Sequence, residues 1–214
     1  MKRFAVLVLS ALMLTGFVSA EPVTGVVTNK TTGKPASGDD VVLLKLAQGM
    51  QELTRTKTDG RGHFTIDVPA GDGPGALHML RVTHDKASYF KPIQPGTQSV
   101  AIDVYSAQAQ VDGVILSEDV MQVQTEPGGN QLRIVEHFLL KNQSSPAMTQ
   151  FSEHPFELYL PAGATIDGAV AKAPGGVPLQ SSLMPMGDPN HYTIIFPIRP
   201  GDTEFHIWYK LPYK

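Results

Sequence analysis

The sequence predicts an all-β protein, with two antiparallel β-sandwich domains in tandem behind a signal peptide. Three observations support this fold class. After residue 20, apolar and polar residues alternate with a period of two almost everywhere, which is the pattern of half-buried strands. Short segments rich in Gly, Pro and Asp separate the alternating runs, as turns do. The spacing and caps of amphipathic helices are absent from the same part of the chain.

The first 20 residues have the organisation of a secretory signal peptide. Lys2 and Arg3 precede an apolar run over residues 4–18, and small residues lead to Ala20, after which we expect cleavage. A membrane anchor is the alternative, but the run is shorter than the roughly 20 residues that a spanning helix needs. No later apolar stretch is long enough to cross a bilayer. We therefore expect an exported product, periplasmic, extracellular or at the cell surface.

Composition excludes several classes of protein. The chain has 17 basic and 20 acidic residues, a formal net charge of −3 and no Cys. A mildly acidic chain without basic clusters is not expected to bind nucleic acid. Without Cys there is neither a disulfide framework nor a thiol nucleophile.

Strands of the first half are read from alternation. In GHFTIDV, for example, Phe64, Ile66 and Val68 share one face and polar residues occupy the other. Further strands are predicted at residues 23–29, 41–46, 52–58, 77–84 and 99–105. The segments TTGKPASGDD, PAGDGPG and KPIQPG are predicted to be turns and loops.

A second series of strands begins near residue 111. Its members are predicted at residues 111–117, 121–126, 132–142, 156–161, 164–172, 191–198 and 204–212. Pro200-Gly201-Asp202 is predicted to be the turn before the last strand. The polar, small-residue segment 106–110 separates the two series, so we predict domains at residues 21–108 and 109–214.

The stretch TKTDGRGHFTID invites a metal or phosphate interpretation, and a turn explains it better. Asp59-Gly60 between two alternating runs is typical of a β-hairpin, because Gly adopts positive φ readily and Asp caps its own turn. A calcium loop would need further oxygen ligands at set positions. A phosphate loop would need a helix after the glycines, whereas a strand follows here.

This region also carries a resemblance to a known family. The order VTGVVTNKTTGKPASGDDVVLL, TKTDGRGHFTIDVPAG and LHMLRVTH resembles the carboxypeptidase regulatory-like domain, a transthyretin-like β-sandwich. Its turn corresponds to residues 32–35, and its Thr-Asp-x-x-Gly-x-Phe element corresponds to Thr58, Asp59, Gly62 and Phe64. The resemblance covers about residues 22–105 and implies a fold, since such domains are appended to many exported proteins. The second half is similar in layout to immunoglobulin-like domains of bacterial envelope proteins.

The family name raises the hypothesis of a zinc carboxypeptidase-type peptidase. His154 and Glu157 have the His-x-x-Glu spacing, and His191 and His206 lie downstream. Three points oppose this hypothesis: the resemblance covers only the appended sandwich, Pro155 lies at the entrance of a strand, and residues three apart on a strand point to opposite faces. No Gly-x-Ser-x-Gly elbow is present either. We therefore predict no catalytic residues, no metal site and no cofactor.

A binding surface is the remaining candidate. In EFHIWYKLP the single Trp, Trp208, alternates with apolar residues and shares the more polar face with His206. An exposed indole could stack on a sugar ring or anchor a protein, and Tyr159 is a possible neighbour. This face could instead pack against the first domain. The sequence thus predicts a non-catalytic exported binding or structural protein of the bacterial envelope, with a protein or a glycan as partner. A carbohydrate-binding module is the main alternative, distinguished by whether Trp208 and a second aromatic residue form a platform.

Overall fold

The computed structural model describes residues 21–47, 49–69, 77–126 and 128–213. Every regular element in these ranges is a β-strand, so the all-β prediction is confirmed. No helix in this described part of the chain has the length and apolar character needed to cross a membrane. The predicted signal peptide, residues 1–20, lies outside the described residues.

Two sheets pack face to face in the first half. The strands are β1 (Glu21–Asn29), β2 (Lys34–Pro35), β3 (Asp40–Ala47), β4 (Gly49–Lys57), β5 (His63–Val68), β6 (Leu77–His84), β7 (Ala87–Ile93) and β8 (Ser99–Val104). In one sheet β1 pairs antiparallel with β2 and β5 and parallel with β8. The other sheet has the order β4-β3-β6-β7 and is antiparallel throughout. Alternate side chains of both sheets, among them Val27, Leu43 and Leu80, form one buried cluster.

Two glycines of the first half are required by close approach. Gly25 on β1 is paired with Phe64 on β5, and a Cβ at Gly25 would lie 2.2 Å from the Phe64 ring. Gly62 has φ +76°, and a Cβ there would lie 2.4 Å from the carbonyl oxygen of Val27. The Phe64 ring thus occupies the space that the missing side chain of Gly25 leaves.

The Asp59-Gly60 segment is a turn, but not a hairpin turn. Asp59 donates its backbone N–H to His63 O at 2.8 Å, and its Oδ1 accepts the backbone N–H groups of Arg61 and His63 at 2.8 Å each. These two bonds lower the pKa of the Asp59 carboxyl. The flanking strands, β4 and β5, belong to different sheets, so the turn carries the chain from one layer to the other. The positive φ that we expected at Gly60 occurs at Gly62.

The second half is built from a long sheet and a short one. Its strands, which follow β9 (Ala107–Gln108) of the connecting segment, are β10 (Val114–Thr125), β11 (Gln131–Asn142), β12 (Thr149–Gln150), β13 (Glu157–Tyr159), β14 (Thr165–Lys172), β15 (Leu179–Ser181), β16 (Leu183–Pro185), β17 (His191–Ile194) and β18 (Gly201–Pro212). The long sheet has the order β10-β11-β18-β14-β15 and the short one the order β13-β17-β16. A second buried cluster, which includes Ile134, Phe205 and Ile207, lies between them.

Several predicted strand limits are corrected by the structure. The two strands predicted at 111–117 and 121–126 form the single strand β10, which a bulge at Ser117 interrupts without ending. The segment KPI, predicted as loop, is the end of β7. Pro92 is tolerated there because β7 is an edge strand and needs no N–H donor on its free side. At the predicted turn 200–202, only Pro200 lies in a bend, since β18 begins at Gly201.

The two halves are joined by hydrogen bonds as well as by the chain. β9 and β12 form a two-residue parallel ladder between residues 107–108 and 149–150. The hydroxyl of Tyr89 lies 2.8 Å from Thr149 Oγ1 and donates to Tyr105 O at 2.9 Å. The guanidinium of Arg199 lies 4.5 Å from the centre of the Tyr89 ring and donates to Ser88 O at 2.8 Å. Burial lowers the pKa of Arg199 to about 10.

Candidate functional site

The outer face of β18 carries two of the three residues that the sequence analysis singled out. His206 and Trp208 are two apart on one strand and so point to the same side, with ring centroids 6.3 Å apart. Both are half-buried. The alternate residues Phe205, Ile207 and Tyr209 are fully buried in the second core. Strict alternation therefore holds along β18 and places His206 and Trp208 outside the sandwich.

Two imidazoles and one carboxylate converge beside Trp208. His137 on β11 is directly opposite His206 on β18, and their rings stack with centroids 4.3 Å apart. Oε2 of Glu204 lies 3.6 Å from His206 Nε2 and 3.9 Å from His137 Nε2. Lys172 on β14 donates to the other oxygen, Oε1, at 2.9 Å. This hydrogen bond and the charge of Lys172 lower the pKa of Glu204, so the carboxylate is ionised at neutral pH.

Tyr159 is not part of this surface. It lies on β13, in the short sheet, and is 66% exposed. Its ring stacks on His191 of β17 at 4.1 Å between centroids. Because Tyr159 points outward from the short sheet and Trp208 outward from the long one, the two rings face opposite sides of the second sandwich. The structure therefore brings together His206 and Trp208, but not Tyr159.

The His-x-x-Glu pair of the sequence does not form a cluster either. Glu157 is 3.0 Å from His191, through Oε2 and Nε2. His154 is exposed in the segment before β13. Among the described residues, the one group of three metal-ligating side chains with ligand atoms within 4.8 Å of one another is His137, Glu204 and His206. The cross-strand register of β11 and β18, which the sequence does not reveal, is what brings His137 to this position.

A second surface, missed by the sequence analysis, is the edge strand β10. Nearly all of its side chains are exposed, although its neighbour β11 is alternately buried. Val120, Met121 and Val123 are 45%, 50% and 52% exposed. They occupy both faces, because Val120 and Met121 are consecutive on a strand. The apolar residues at 120, 121 and 123 break the two-residue alternation, and this break was the available signal in the sequence.

Apolar side chains of the second core cover the inner face of the long sheet as far as β11, but leave most of β10 uncovered. Glu136 on β11 is 8% exposed and accepts a hydrogen bond from Tyr209 at 3.0 Å. Burial, and then the nearby charge of Asp119 on β10, raise the pKa of Glu136. Burial, and then the same carboxyl, raise the pKa of Tyr209. The short sheet has strands of only three or four residues, and Val114 is the residue of β10 that packs against the buried cluster.

Comparison with solved structures finds similarity to bacterial major pilin subunits. The chain is similar to BcpA, the major pilin subunit of Bacillus cereus, at 14% identity and a TM-score of 0.29, covering 92% of this chain and 59% of the pilin. A variant of that pilin gives the same values. The full-length major pilin SpaD of Corynebacterium diphtheriae is similar at 10% identity and a TM-score of 0.27, covering 91% and 57% of the two chains.

The chain thus spans less than two thirds of the length of these pilins. Likeness at this identity and TM-score does not transfer their role to this chain. No protein-family model and no curated protein matches the sequence. The function must therefore be inferred from the surfaces described above.

Proposed function

We propose that this chain is a non-catalytic exported protein of the bacterial envelope that binds a protein partner along strand β10. The observation that carries the proposal is an edge strand of 12 residues whose apolar side chains are exposed on both faces. Natural proteins usually shorten, cover or charge such an edge, because its free N–H and C=O groups pair readily with another strand. We further propose the domain boundary near residue 108, between the two buried clusters.

The two ends of β10 differ in their suitability for pairing. Residues 120–125, with the sequence VMQVQT, contain no charge, no Pro and no Gly. The preceding part carries the bulge at Ser117 and the acidic pair Glu118 and Asp119. A partner strand added antiparallel or parallel to residues 120–125 would gain main-chain hydrogen bonds along the edge and side-chain contacts on both faces.

Charge favours a different protein over a second copy as the occupant. β10 has two acidic residues, Glu118 and Asp119, and no basic one. A second copy of β10 would therefore bring no basic side chain to this edge, whereas a partner strand with Lys or Arg would compensate both carboxylates. The absence of Cys and of a serine elbow from the sequence supports a role in binding without catalysis.

Carbohydrate binding is supported less well. It depended on Trp208 and a second aromatic residue forming one exposed platform, and Tyr159 faces the other side of the sandwich. Within the described part of the chain, the ring that lies beside Trp208 is the imidazole of His206. A glycan array with wild type and Trp208→Ala tests this alternative; sugar binding that the substitution removes would favour it over the protein partner.

Site-specific photo-cross-linking in the producing cells tests the proposal. A photoreactive p-benzoylphenylalanine replaces Gln122 on β10, and in the matched control it replaces Gln51 on β4, an exposed Gln on another edge strand. We expect a discrete cross-linked product only from position 122, and its loss when Met121→Lys and Val123→Lys are added. Circular dichroism confirms that the variants keep their strands.

Two results would contradict the proposal. The same products from positions 122 and 51 would show that β10 has no special role. A product of twice the mass of this chain would make a second copy the occupant and overturn the choice of a different protein.

A further inference from the structure

We infer that the outer face of the second sandwich binds a divalent transition-metal ion of the zinc type, with His137, His206 and Glu204 as its ligands. This inference is independent of the partner proposed for β10. It concerns the three side chains beside Trp208, of which only His206 entered the zinc-peptidase hypothesis that the sequence argued against.

Strand geometry holds the three ligands on one side of the sheet. Glu204 and His206 are two apart on β18 and so share a face. His137 is the cross-strand neighbour of His206. Their strands, β11 and β18, are flanked by β10 on one side and β14 on the other. Directly opposite residues in an antiparallel pair have Cβ atoms about 4.5–5.5 Å apart, within reach of a shared ion. The backbone therefore fixes the positions from which all three side chains start.

The three ligand atoms are close enough to bind one ion once the stacked imidazoles rotate toward it. The three ligand atoms lie within 4.8 Å of one another. Zinc binds imidazole nitrogen and carboxylate oxygen at about 2.0–2.2 Å, so ligands of one tetrahedral ion are about 3.4 Å apart. The gaps of 3.6 and 3.9 Å from Glu204 Oε2 to the two Nε2 atoms already approach that separation.

The cluster contains a buried ring nitrogen without a hydrogen-bond partner. Nε2 of His137 is buried and makes no hydrogen bond with any residue in the described part of the chain. A buried ring nitrogen without a partner is costly, and a metal ion would satisfy it. Lys172 occupies Oε1 of Glu204 and leaves Oε2 directed at the imidazoles. Two neutral imidazoles with one carboxylate form a ligand set that suits zinc and also binds Cu²⁺ and Ni²⁺.

Calorimetric titration of the tag-free full chain with ZnCl₂ tests the inference. We expect one ion per chain, and an affinity at least about tenfold lower in His137→Gln and in His206→Gln. His154→Gln is the matched control, because His154 is exposed and lies outside the cluster, and its affinity should equal that of wild type. Saturable binding that the cluster variants retain would overturn the assignment, as would no saturable binding at all.

Trp208 provides a second readout that does not depend on heat of binding. It is the only Trp of the chain, and its ring centroid is 6.3 Å from that of His206. Cu²⁺ bound at the cluster should quench its fluorescence saturably in wild type and His154→Gln, and much more weakly in His206→Gln. Circular dichroism of each variant separates loss of the site from loss of the fold. Equal quenching in a folded His206→Gln would refute the site.

Discussion

Removal of one hydroxyl, in Tyr89→Phe, should weaken the junction between the two halves. Tyr89 is 1% exposed, and its oxygen accepts the backbone N–H of Tyr105 at 3.1 Å, donates to Tyr105 O at 2.9 Å and contacts Thr149 Oγ1 at 2.8 Å. The substitution keeps the ring under Arg199 but leaves the Tyr105 N–H and the Thr149 hydroxyl unpaired. Each buried polar group without a partner costs about 1–3 kcal/mol, so for two such groups we expect a loss of about 2–6 kcal/mol.

A double-mutant cycle with Thr149→Val isolates the contact across the junction. Thr149 is fully buried, and Thr149→Val alone should cost about 1 kcal/mol, because Tyr89 keeps both hydrogen bonds with Tyr105. In the Thr149→Val background there is no threonine hydroxyl for Tyr89→Phe to leave without a hydrogen-bond partner. Its cost should therefore fall by about 1 kcal/mol, which is the coupling energy.

Urea unfolding followed by the fluorescence of Trp208 measures this cycle. Trp208 lies in the second half and Tyr89 in the first, so a shift of the transition reports coupling across the junction. Tyr159→Phe, at a 66% exposed position, is the matched control and should leave the transition unchanged. A change below about 0.5 kcal/mol for Tyr89→Phe, or strict additivity of the two substitutions, would refute the reasoning.

Three further substitutions test the cores and one buried carboxyl by thermal unfolding. Gly62→Ala should cost at least about 2 kcal/mol, because its φ is +76° and its Cβ would lie 2.4 Å from Val27 O; Gly60→Ala, with open space and no positive φ, should cost far less. Phe205→Ala should cost about 3–5 kcal/mol, since Phe205 is fully buried, and a loss under 1 kcal/mol would contradict the packing. Burial raises the pKa of Glu136 above its ordinary 4.5, so its contribution to stability is complete below that pH and is lost as the pH rises through the folded-state pKa. Glu136→Gln should therefore raise the unfolding midpoint near pH 8 and confer no advantage near pH 4; an equal effect at both would argue against a raised pKa.

Local sequence patterns predicted most strands because alternation is a local property. β18 shows this well: the buried residues 205, 207 and 209 and the outward residues 206 and 208 can be assigned from the sequence alone. The turn at Asp59 was also predictable, since Asp side chains cap their own turns. Which sheet each flanking strand joins depends on long-range pairing, and the hairpin interpretation was wrong for that reason. The transthyretin-like assignment of the first half and the ligand role of Trp208 stay predictions.

The candidate sites depended on information that one strand cannot supply. His137 and His206 are 69 positions apart, and only the register of β11 against β18 makes them neighbours. Likewise, the exposure of β10 follows from the short strands of the opposing sheet, which leave its inner face uncovered beyond Val114. Tyr159 was paired with Trp208 by similarity of pattern, but strands of similar pattern can belong to opposite layers.

The ladder between β9 and β12 makes the junction between the two halves resistant to bending and stretching. The backbone N–H of Thr149 donates to Ser106 O at 3.0 Å, and that of Phe151 donates to Gln108 O at 2.8 Å, so the connecting segment is itself clamped to the second half. Because the connecting segment is hydrogen-bonded to the second half, bending at the junction requires these backbone hydrogen bonds to break. Tension applied along the chain would load these bonds together with the Tyr89 hydroxyl, and the junction would resist stretching until they break.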